Sequence, residues 1–365
     1  MKIDRRQALA ISAGMSLPLL GLPSPTHAGI PAANEIGGNK NKEPFAEFTG
    51  KSKKAINKGN RWLLKAINKD GGAGTDIGTQ SEVACTSVVG MAFLSQGNTP
   101  AEGPYARKQK GIQEFTLKCA ERLKTSGSMQ SMTSVIEGDL GPYAPMFFTS
   151  LFLSQAMGES KQVNRVQRGL KHLANHISNG QLNDGSWGTE NAWAPLLATA
   201  CGWLSLRAAN FAGIKVSGSS DKAGDFLISR MPRLGTKWGG GSWYHRLYGT
   251  AAGLRVLYSL GRENEEKAQV ALSDIMKLVE SSNRAFGGAG GEEYLTFHLL
   301  TEMLMQEGGD RWKAWYQVAR DKLIEVQNKD GSWTGHHCIT SRTFSTACAM
   351  MVLTAPNRYL PISQV

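Results

Sequence analysis

The sequence predicts an all-α protein folded as an α6/α6 toroid of six helical hairpins. Three observations favour this fold. After residue 55, helical patterns alternate with glycine-rich joints, and almost no stretch alternates polar and apolar residues as a strand does. The joints recur at a spacing of roughly 50 residues, which is typical of helical repeats. Within each unit the first helix is amphipathic and the second is nearly apolar, which indicates an outer and an inner layer.

Six units follow one another along the chain, each with two helices separated by a joint. They cover residues 55–94, 112–157, 163–209, 222–260, 267–305 and 312–353. The joint glycines are Gly71, Gly138, Gly185, Gly240, Gly288 and Gly331. The last unit has an apolar second helix where an open solenoid would need a polar cap, and this favours a closed ring.

Two joints share the pattern Gln-x3-Gly-Ser-Trp, at residues 181–187 and 327–333, and residues 68–71 form a shortened copy. Each copy has an Asn shortly before an Asp-Gly pair, and these residue types tolerate positive φ. Each copy therefore predicts a helix end followed by a tight turn. We expect Trp187 and Trp333 to fold back and cover the joint, as structural residues.

Residues 1–28 predict an export signal. Lys2, Arg5 and Arg6 precede a short apolar stretch at residues 8–22, and Ala28 ends a cleavage pattern of small residues. The Arg5-Arg6 pair resembles a bacterial twin-arginine signal, with an ordinary secretory signal left open. Residues 29–54 predict a flexible lead-in, and residues 55–365 a single toroid domain. The expected location is the periplasm or cell envelope, and the protein is not expected to be an integral membrane protein.

Composition narrows the class of partner. Hydrophobic residues make up 41% of the chain and charged residues 19%, which is typical of a globular protein. The net charge is +11, and removal of residues 1–28 takes away three basic residues and one acidic residue, which leaves +9. The basic residues are spread along the chain, so they indicate a solvated surface rather than nucleic-acid binding. Five cysteines, an odd number in a large chain, do not form a disulfide framework.

The last joint carries a resemblance to known proteins. Its pattern at residues 323–333, Leu-x3-Gln-x3-Gly-Ser-Trp, resembles the QW repeat of squalene–hopene and oxidosqualene cyclases. Residues 243–250, 308–315, 344–347 and 359–362 resemble exported planctomycete-type proteins described as "prenyltransferase and squalene oxidase repeat". The resemblance implies the α/α toroid that this superfamily shares with the β subunits of protein prenyltransferases. It implies no activity, since that bacterial group has none that is generally established.

The catalytic sequence motifs of the better-known relatives are absent from this chain. The Asp-x-Asp-Asp tetrapeptide of class II cyclases is absent, and so is the Asp-x-Cys pair with which protein prenyltransferases hold zinc. Walker, Rossmann and Gly-x-Ser-x-Gly fingerprints are also missing, so no cofactor is predicted.

In a toroid, the residues that follow the joints gather at one end of the central cavity. These residues are Asp76, Asp139, Glu190, His245, Glu292, Glu293, His336 and His337. Carboxylates and imidazoles together favour general acid–base chemistry or metal binding, with Cys338 as a further possible ligand. The catalytic candidates are His245, Glu292, His336, His337, Asp139 and Glu190. For Asp76, Asp139 and Glu190, capping of a helix N-terminus is the competing interpretation.

Aromatic residues near the same joints predict an apolar pocket with a polar rim. The ligand-binding candidates are Trp193, Trp238, Trp243, Tyr244, Tyr248, Arg246 and Arg342. For the two arginines, an ion pair with an inner-helix carboxylate is the favoured alternative.

Two functions remain open. Because both known catalytic motifs are absent, a binding or interaction module is placed slightly ahead. Its expected partner is a small hydrophobic molecule, a glycan or an envelope protein. The alternative is an enzyme that acts on a lipid, isoprenoid or glycan in the central cavity, with acidic and His residues at its mouth and a metal as an optional component.

Overall fold

The structure is a computed structural model that describes residues 45–126, 128–129, 134–187, 194–216, 220–231, 243–281 and 286–364. The helices in these ranges are α1 (Gly50–Ala66), α2 (Val83–Leu94), α3 (Ala106–Ser126), α4 (Val135–Leu140), α5 (Ala144–Ala156), α6 (Val163–Asn179), α7 (Pro195–Phe211), α8 (Ser220–Arg230), α9 (Trp243–Ser259), α10 (Glu266–Ser281), α11 (Gly291–Glu307), α12 (Gly309–Glu325) and α13 (Arg342–Thr354). Short 3-10 turns lie at Met157–Glu159, Ala355–Asn357 and Pro361–Gln364. The only other regular pairing within these ranges is a pair of isolated β-bridges around Ala73.

Six inner helices form a closed ring. Helices α2, α5, α7, α9, α11 and α13 pack against one another in this order, and α13 packs against α2. The outer helices are α1, α3, α6, α8, α10 and α12, and each lies against the inner layer. At the seam of the ring, the outer helices α12 and α1 also contact each other. The α/α toroid predicted from the sequence is therefore confirmed.

Burial separates the two layers as the sequence pattern predicts. Every residue of α2 is buried, whereas α6 buries only the stripe Val166, Gly169, Leu170, Leu173, Ala174 and Ile177. Inner helices with apolar residues on all sides can be stable only when other helices surround them. The first helix begins at Gly50, within the predicted lead-in, and Thr49 and Ser52 form its capping box.

The tryptophan joints have the predicted geometry. Trp187 donates its indole N–H to the carbonyl of Ile177 at 2.6 Å, and Trp333 donates to the carbonyl of Leu323 at 2.8 Å. Both tryptophans are buried. Each side chain therefore folds back onto the last turn of the outer helix that precedes its joint, and it caps a carbonyl there.

Joint glycines also connect neighbouring units. Gly71, Gly185 and Gly331 have φ of 88°, 94° and 98°. A Cβ at any of them would lie 2.3–2.6 Å from a carbonyl oxygen on an outer helix of the next unit around the ring. Those carbonyls belong to Gly111, Lys222 and Lys58. Only glycine fits both the left-handed backbone and this close approach.

A C-terminal segment, Pro361–Gln364, packs on α11 near the end of the ring opposite the joints. Ile362 accepts a hydrogen bond from Arg255 at 2.8 Å and donates one to Gln155 at 3.0 Å. Arg255 is fully buried and pairs with Glu302 of α11 at 3.3 Å. Three inner helices are thus tied together through this segment. Among the described residues, no helix has the length and apolar character needed to cross a membrane.

Candidate active site

Two consecutive glutamates begin the inner helix α11. Glu292 and Glu293 are both buried, with 2% and 0% of their surface exposed. Glu292 accepts a hydrogen bond from the backbone N–H of Ile339 at 3.1 Å, and Glu293 accepts one from the N–H of Gly290. The first turn of a helix stabilises negative charge through its free N–H groups and the helix dipole. The two carboxyl groups are therefore held in fixed positions.

His337 lies between these glutamates. Its Nδ1 is 3.4 Å from Oε1 of Glu292, and its Nε2 is 3.4 Å from Oε2 of Glu293. The imidazole is about one-third exposed, with 33% of its side-chain surface accessible. It therefore lies between two buried carboxyl groups and solvent.

The loop that carries His337 is bonded to the start of α11. The N–H of His336 donates to the carbonyl of Ala289 at 3.0 Å, and the N–H of Gly291 donates to the carbonyl of Ile339 at 2.9 Å. These bonds lie on both sides of His337 in the sequence. The sixth joint therefore presents its histidine directly over the fifth hairpin.

A tyrosine from the neighbouring inner helix completes the surroundings of Glu293. Tyr248 of α9 is buried, and its hydroxyl donates a hydrogen bond to Oε1 of Glu293. Burial raises the pKa of Glu293 to about 8, against the lowering effect of the Gly290 N–H bond. Glu293 therefore carries a proton at neutral pH.

Asp139 supplies a third carboxyl group, from the last turn of α4. It is 6% exposed. Burial and the negative charge of Glu292 together raise its pKa to about 6, and His337 opposes the rise. Neighbouring carboxyl groups in a poorly solvated site cannot all ionise, so their pKa values separate. Asp139 is the group that changes its charge just below neutral pH.

Cys338 follows His337 in the same loop and is exposed. Its φ is 45°, an uncommon value for a residue other than glycine. One donor atom each from Glu292, His337 and Cys338 lies within 4.8 Å of the other two. The pKa of Cys338 is raised to about 12. The causes are partial burial of the thiol, its hydrogen bond to Glu292 and the negative charge of Glu292.

The structure thus brings together Asp139, Glu292, His337 and Tyr248 of the sequence candidates. Glu293 belongs to the converging residues predicted from the sequence, but it is not one of the catalytic candidates. It is buried more completely than any catalytic candidate whose side chain the structure describes. Its signal in the sequence is a second acid at the start of an otherwise apolar helix. His336 is exposed and contributes the backbone bond to Ala289.

Several candidates fall where the structure gives no side chain. Glu190, Trp193 and Trp238 lie outside the described residues. At the start of α9, only the backbone is described for Trp243, Tyr244, His245 and Arg246.

Arg342 takes part in an ion-pair cluster between the first and last units. It pairs with Asp76 at 3.3 Å and with Asp330, and its guanidinium lies over the ring of Trp62, 5.2 Å from the centroid. Arg342 therefore forms ion pairs, but its partners lie on joints and not on an inner helix as the alternative specifies.

The capping interpretation is wrong for Asp76 and Asp139. Glu82 caps α2 through the N–H groups of Ala84 and Cys85. Asp139 lies in the last turn of α4, and the N-cap residue of the next helix, α5, is Tyr143, which makes no side-chain capping bond. Asp76 instead accepts the N–H of Ile77 within a turn.

Similar structures were found for the chain as a whole. No family model and no curated protein matches the sequence. An inactive variant of the alpha-1,6-mannanase GH76A of Salegentibacter sp. HEL1_6, with two consecutive aspartates replaced by asparagine and alpha-1,6-mannotriose bound, superposes with a TM-score of 0.54. The identity is 10%, over 85% of this chain and 99% of that chain. The structure of the same mannanase without substitutions gives a TM-score of 0.53 at 11% identity, over 84% of this chain and 99% of that chain. The chain therefore has the α/α-toroid fold seen in these glycoside hydrolases.

Proposed function

We propose that this protein is a glycan-acting hydrolase, with its reacting carboxyl groups at the joint end of the ring. The sequence alone places a binding module slightly ahead of an enzyme, and two findings support the reverse order. Three buried carboxyl groups interact with one imidazole at the joint end of the ring. The similar structures are alpha-1,6-mannanases, which act on a glycan within the same fold.

The observation that carries the proposal is the cluster of Asp139 and Glu292 around His337. Glycoside hydrolysis needs one carboxylic acid that protonates the leaving oxygen and one carboxylate that acts as base or nucleophile. Such pairs arise where the surroundings separate the pKa values of two neighbouring acids. With its pKa near 6, Asp139 is the proton donor, and Glu292 is the partner carboxylate whose negative charge contributes to raising that pKa.

Glu293 has a different role in this scheme. It is protonated at neutral pH and fully buried, and it holds Tyr248 and His337 without adding a second negative charge beside Glu292. We assign it as a positioning residue.

The test is hydrolysis of a defined panel of glycans by the purified protein, with alpha-1,6-mannotetraose and alpha-1,6-mannan as the first substrates. New reducing ends are separated by chromatography and identified by mass spectrometry. We expect Asp139→Asn and Glu292→Gln to lower kcat by about 1000-fold, since each removes a group needed in the transition state.

Glu293→Gln is the decisive comparison, because glutamine imitates a protonated glutamate. We expect it to keep activity within about tenfold, as an uncharged group already fills that position. Matched controls are Asp310→Asn and Glu325→Gln, whose side chains are 99% and 66% exposed and which should be fully active. Absence of hydrolysis across the panel, or full activity of Asp139→Asn, would overturn the proposal.

Export and descent belong to the same proposal. An enzyme for envelope or extracellular glycans has to leave the cytoplasm, as the signal predicted in residues 1–28 would arrange. The Gln-x3-Gly-Ser-Trp pattern that ends at Trp187 and at Trp333 is the basis for proposing common descent with the QW-repeat proteins of the terpenoid cyclase superfamily. Cyclase chemistry forms no part of the proposal.

A further inference from the structure

We propose that Glu292, His337 and Cys338 form a binding site for a divalent transition-metal ion of the zinc type. We also propose that metal bound there inhibits the hydrolase. The binding step stands on the geometry of the three side chains alone. The inhibition step rests on the proposed function.

The spacing of the donor atoms suits one ion. A carboxylate oxygen of Glu292, a ring nitrogen of His337 and Sγ of Cys338 all lie within 4.8 Å of one another. Zinc bonds of about 2.0–2.3 Å in a tetrahedron place neighbouring ligands roughly 3.5 Å apart. The pair formed by His337 Nδ1 and Glu292 Oε1 is already at 3.4 Å. Only a small movement of the exposed thiol is needed to complete the set.

The backbone holds two of the donors in place before any metal arrives. The N–H of His336 bonds to Ala289 on one side of the loop, and Ile339 bonds to both Glu292 and Gly291 on the other. Between these bonds, Cys338 has a left-handed backbone, and its thiol lies near the carboxylate of Glu292, as the imidazole of His337 does. Metal sites gain affinity when their ligands are oriented in advance by such bonds.

The donor types select the metal. One oxygen, one nitrogen and one sulfur suit zinc and its neighbours in the transition series, whereas calcium and magnesium require oxygen ligands. Three protein ligands leave a fourth position for water.

Metal binding at this position has a direct consequence for the proposed reaction. Glu292 is the carboxylate partner of Asp139 in the scheme, and a bound cation would occupy the oxygen that the reaction needs. Zinc should therefore act as a reversible inhibitor.

The binding test uses the full chain, reduced and freed of metal with a chelator. Cobalt(II) is titrated into the wild type, Cys338→Ser and the control Cys119→Ser, whose thiol is buried on α3. We expect one cobalt per wild-type chain, with the near-ultraviolet charge-transfer band of a cobalt–thiolate bond. Cys338→Ser should lose this band. Its zinc affinity, measured by competition with a chelator, should fall more than about tenfold, which is the typical loss when only a residue that hydrogen-bonds to a metal ligand is removed. Cys119→Ser should match the wild type.

Binding is refuted if the wild type shows no thiolate band, or if Cys338→Ser and wild type bind equally. Circular dichroism of each variant shows whether the fold is kept, and His337→Ala provides a second variant that should weaken binding with the thiol intact. For inhibition, zinc should lower glycan hydrolysis by the wild type at least tenfold, with recovery on chelation and little effect on Cys338→Ser. Metal binding without inhibition removes only the second step. A protein that binds cobalt through Cys338 but hydrolyses no glycan refutes the proposed function while the metal site stands.

Discussion

Nδ1 of His337 lies 3.4 Å from a carboxylate oxygen of Glu292, although the two residues belong to different hairpins. The same imidazole reaches Glu293 through its other nitrogen at the same distance. A single partly exposed side chain thus lies close to two buried carboxyl groups. The charges of these three groups affect one another, and the effects can be measured in variants.

Activity should depend on pH through Asp139. Its pKa is raised to about 6, and a general acid works in its protonated form. We therefore expect kcat to fall as pH rises through about 6, because the proton is lost there. The profile is measured with chelator present to keep metal away from Glu292. A rate that stays constant between about pH 5 and 8 would contradict the assignment.

Glu292→Gln should lower the pKa of Asp139. The negative charge of Glu292 raises that pKa, so its removal favours the ionised form. The titration can be followed by carbon NMR of labelled aspartate side chains. Glu325→Gln, at an exposed position, serves as the control and should leave the titration unchanged. An unaltered pKa in Glu292→Gln would mean that the two groups do not interact.

Tyr248→Phe should destabilise the fold by about 1 kcal/mol, since a buried acceptor on Glu293 loses its donor. Urea denaturation followed by circular dichroism measures the free energy of unfolding. Tyr359→Phe is the matched control, because that side chain is 46% exposed. Equal stability of the two variants would show that the Tyr248 hydroxyl contributes nothing.

Glu302→Gln should cost about 3–5 kcal/mol, because it leaves the buried Arg255 without its counter-charge. Replacement of both partners by apolar residues should cost less than the sum of the single changes. Although burial opposes ionisation, His298 and Arg255 hold the pKa of Glu302 below its ordinary value of 4.5. The stabilisation is thus present above about pH 4.5 and is lost as pH falls through the lowered pKa. Unfolding curves for wild type and Glu302→Gln that stay equally far apart at acid pH would exclude this linkage.

Gly331→Ala should destabilise the ring by at least about 1–2 kcal/mol, the cost of a left-handed backbone for an alanine. Its φ is 98°, and a Cβ would lie 2.6 Å from the carbonyl oxygen of Lys58. Gly50→Ala is the control, since nothing lies within 4 Å of its Cβ position and its φ is not positive. Thermal and urea unfolding should rank the two variants clearly, with Gly50→Ala close to wild type. The reverse ranking would count against a role for the joint in closing the ring.

The ring could be predicted from the sequence because the signals that specify it are local and recur in each unit. Each joint carries its own turn signal, and the apolar second helices can be buried only in an inner layer. The meeting of Glu292 and His337 also follows from that logic, because both come after joints that face the same end. By contrast, the contact between Tyr248 and Glu293 depends on how two neighbouring helices are rotated about their axes. The sequence pattern does not show where α2 and α4 begin: Asp76 lies in a turn before the cap Glu82, and Asp139 lies in the last turn of α4, after the cap Ser134. Arg342 pairs with Asp76 only once the ring has closed.

Ring closure makes neighbours of residues near the two ends of the described part of the chain. Glu47 lies 2.8 Å from Arg358, and the joint at Gly331 meets Lys58 with the same contact that Gly185 makes with Lys222. The seam between the last and first units therefore uses the same glycine contact as an internal one. A circular permutant, with a short linker between these ends and new termini in another loop, should keep every joint intact. The fold would then depend on the cyclic order of its hairpins and not on which loop carries the termini.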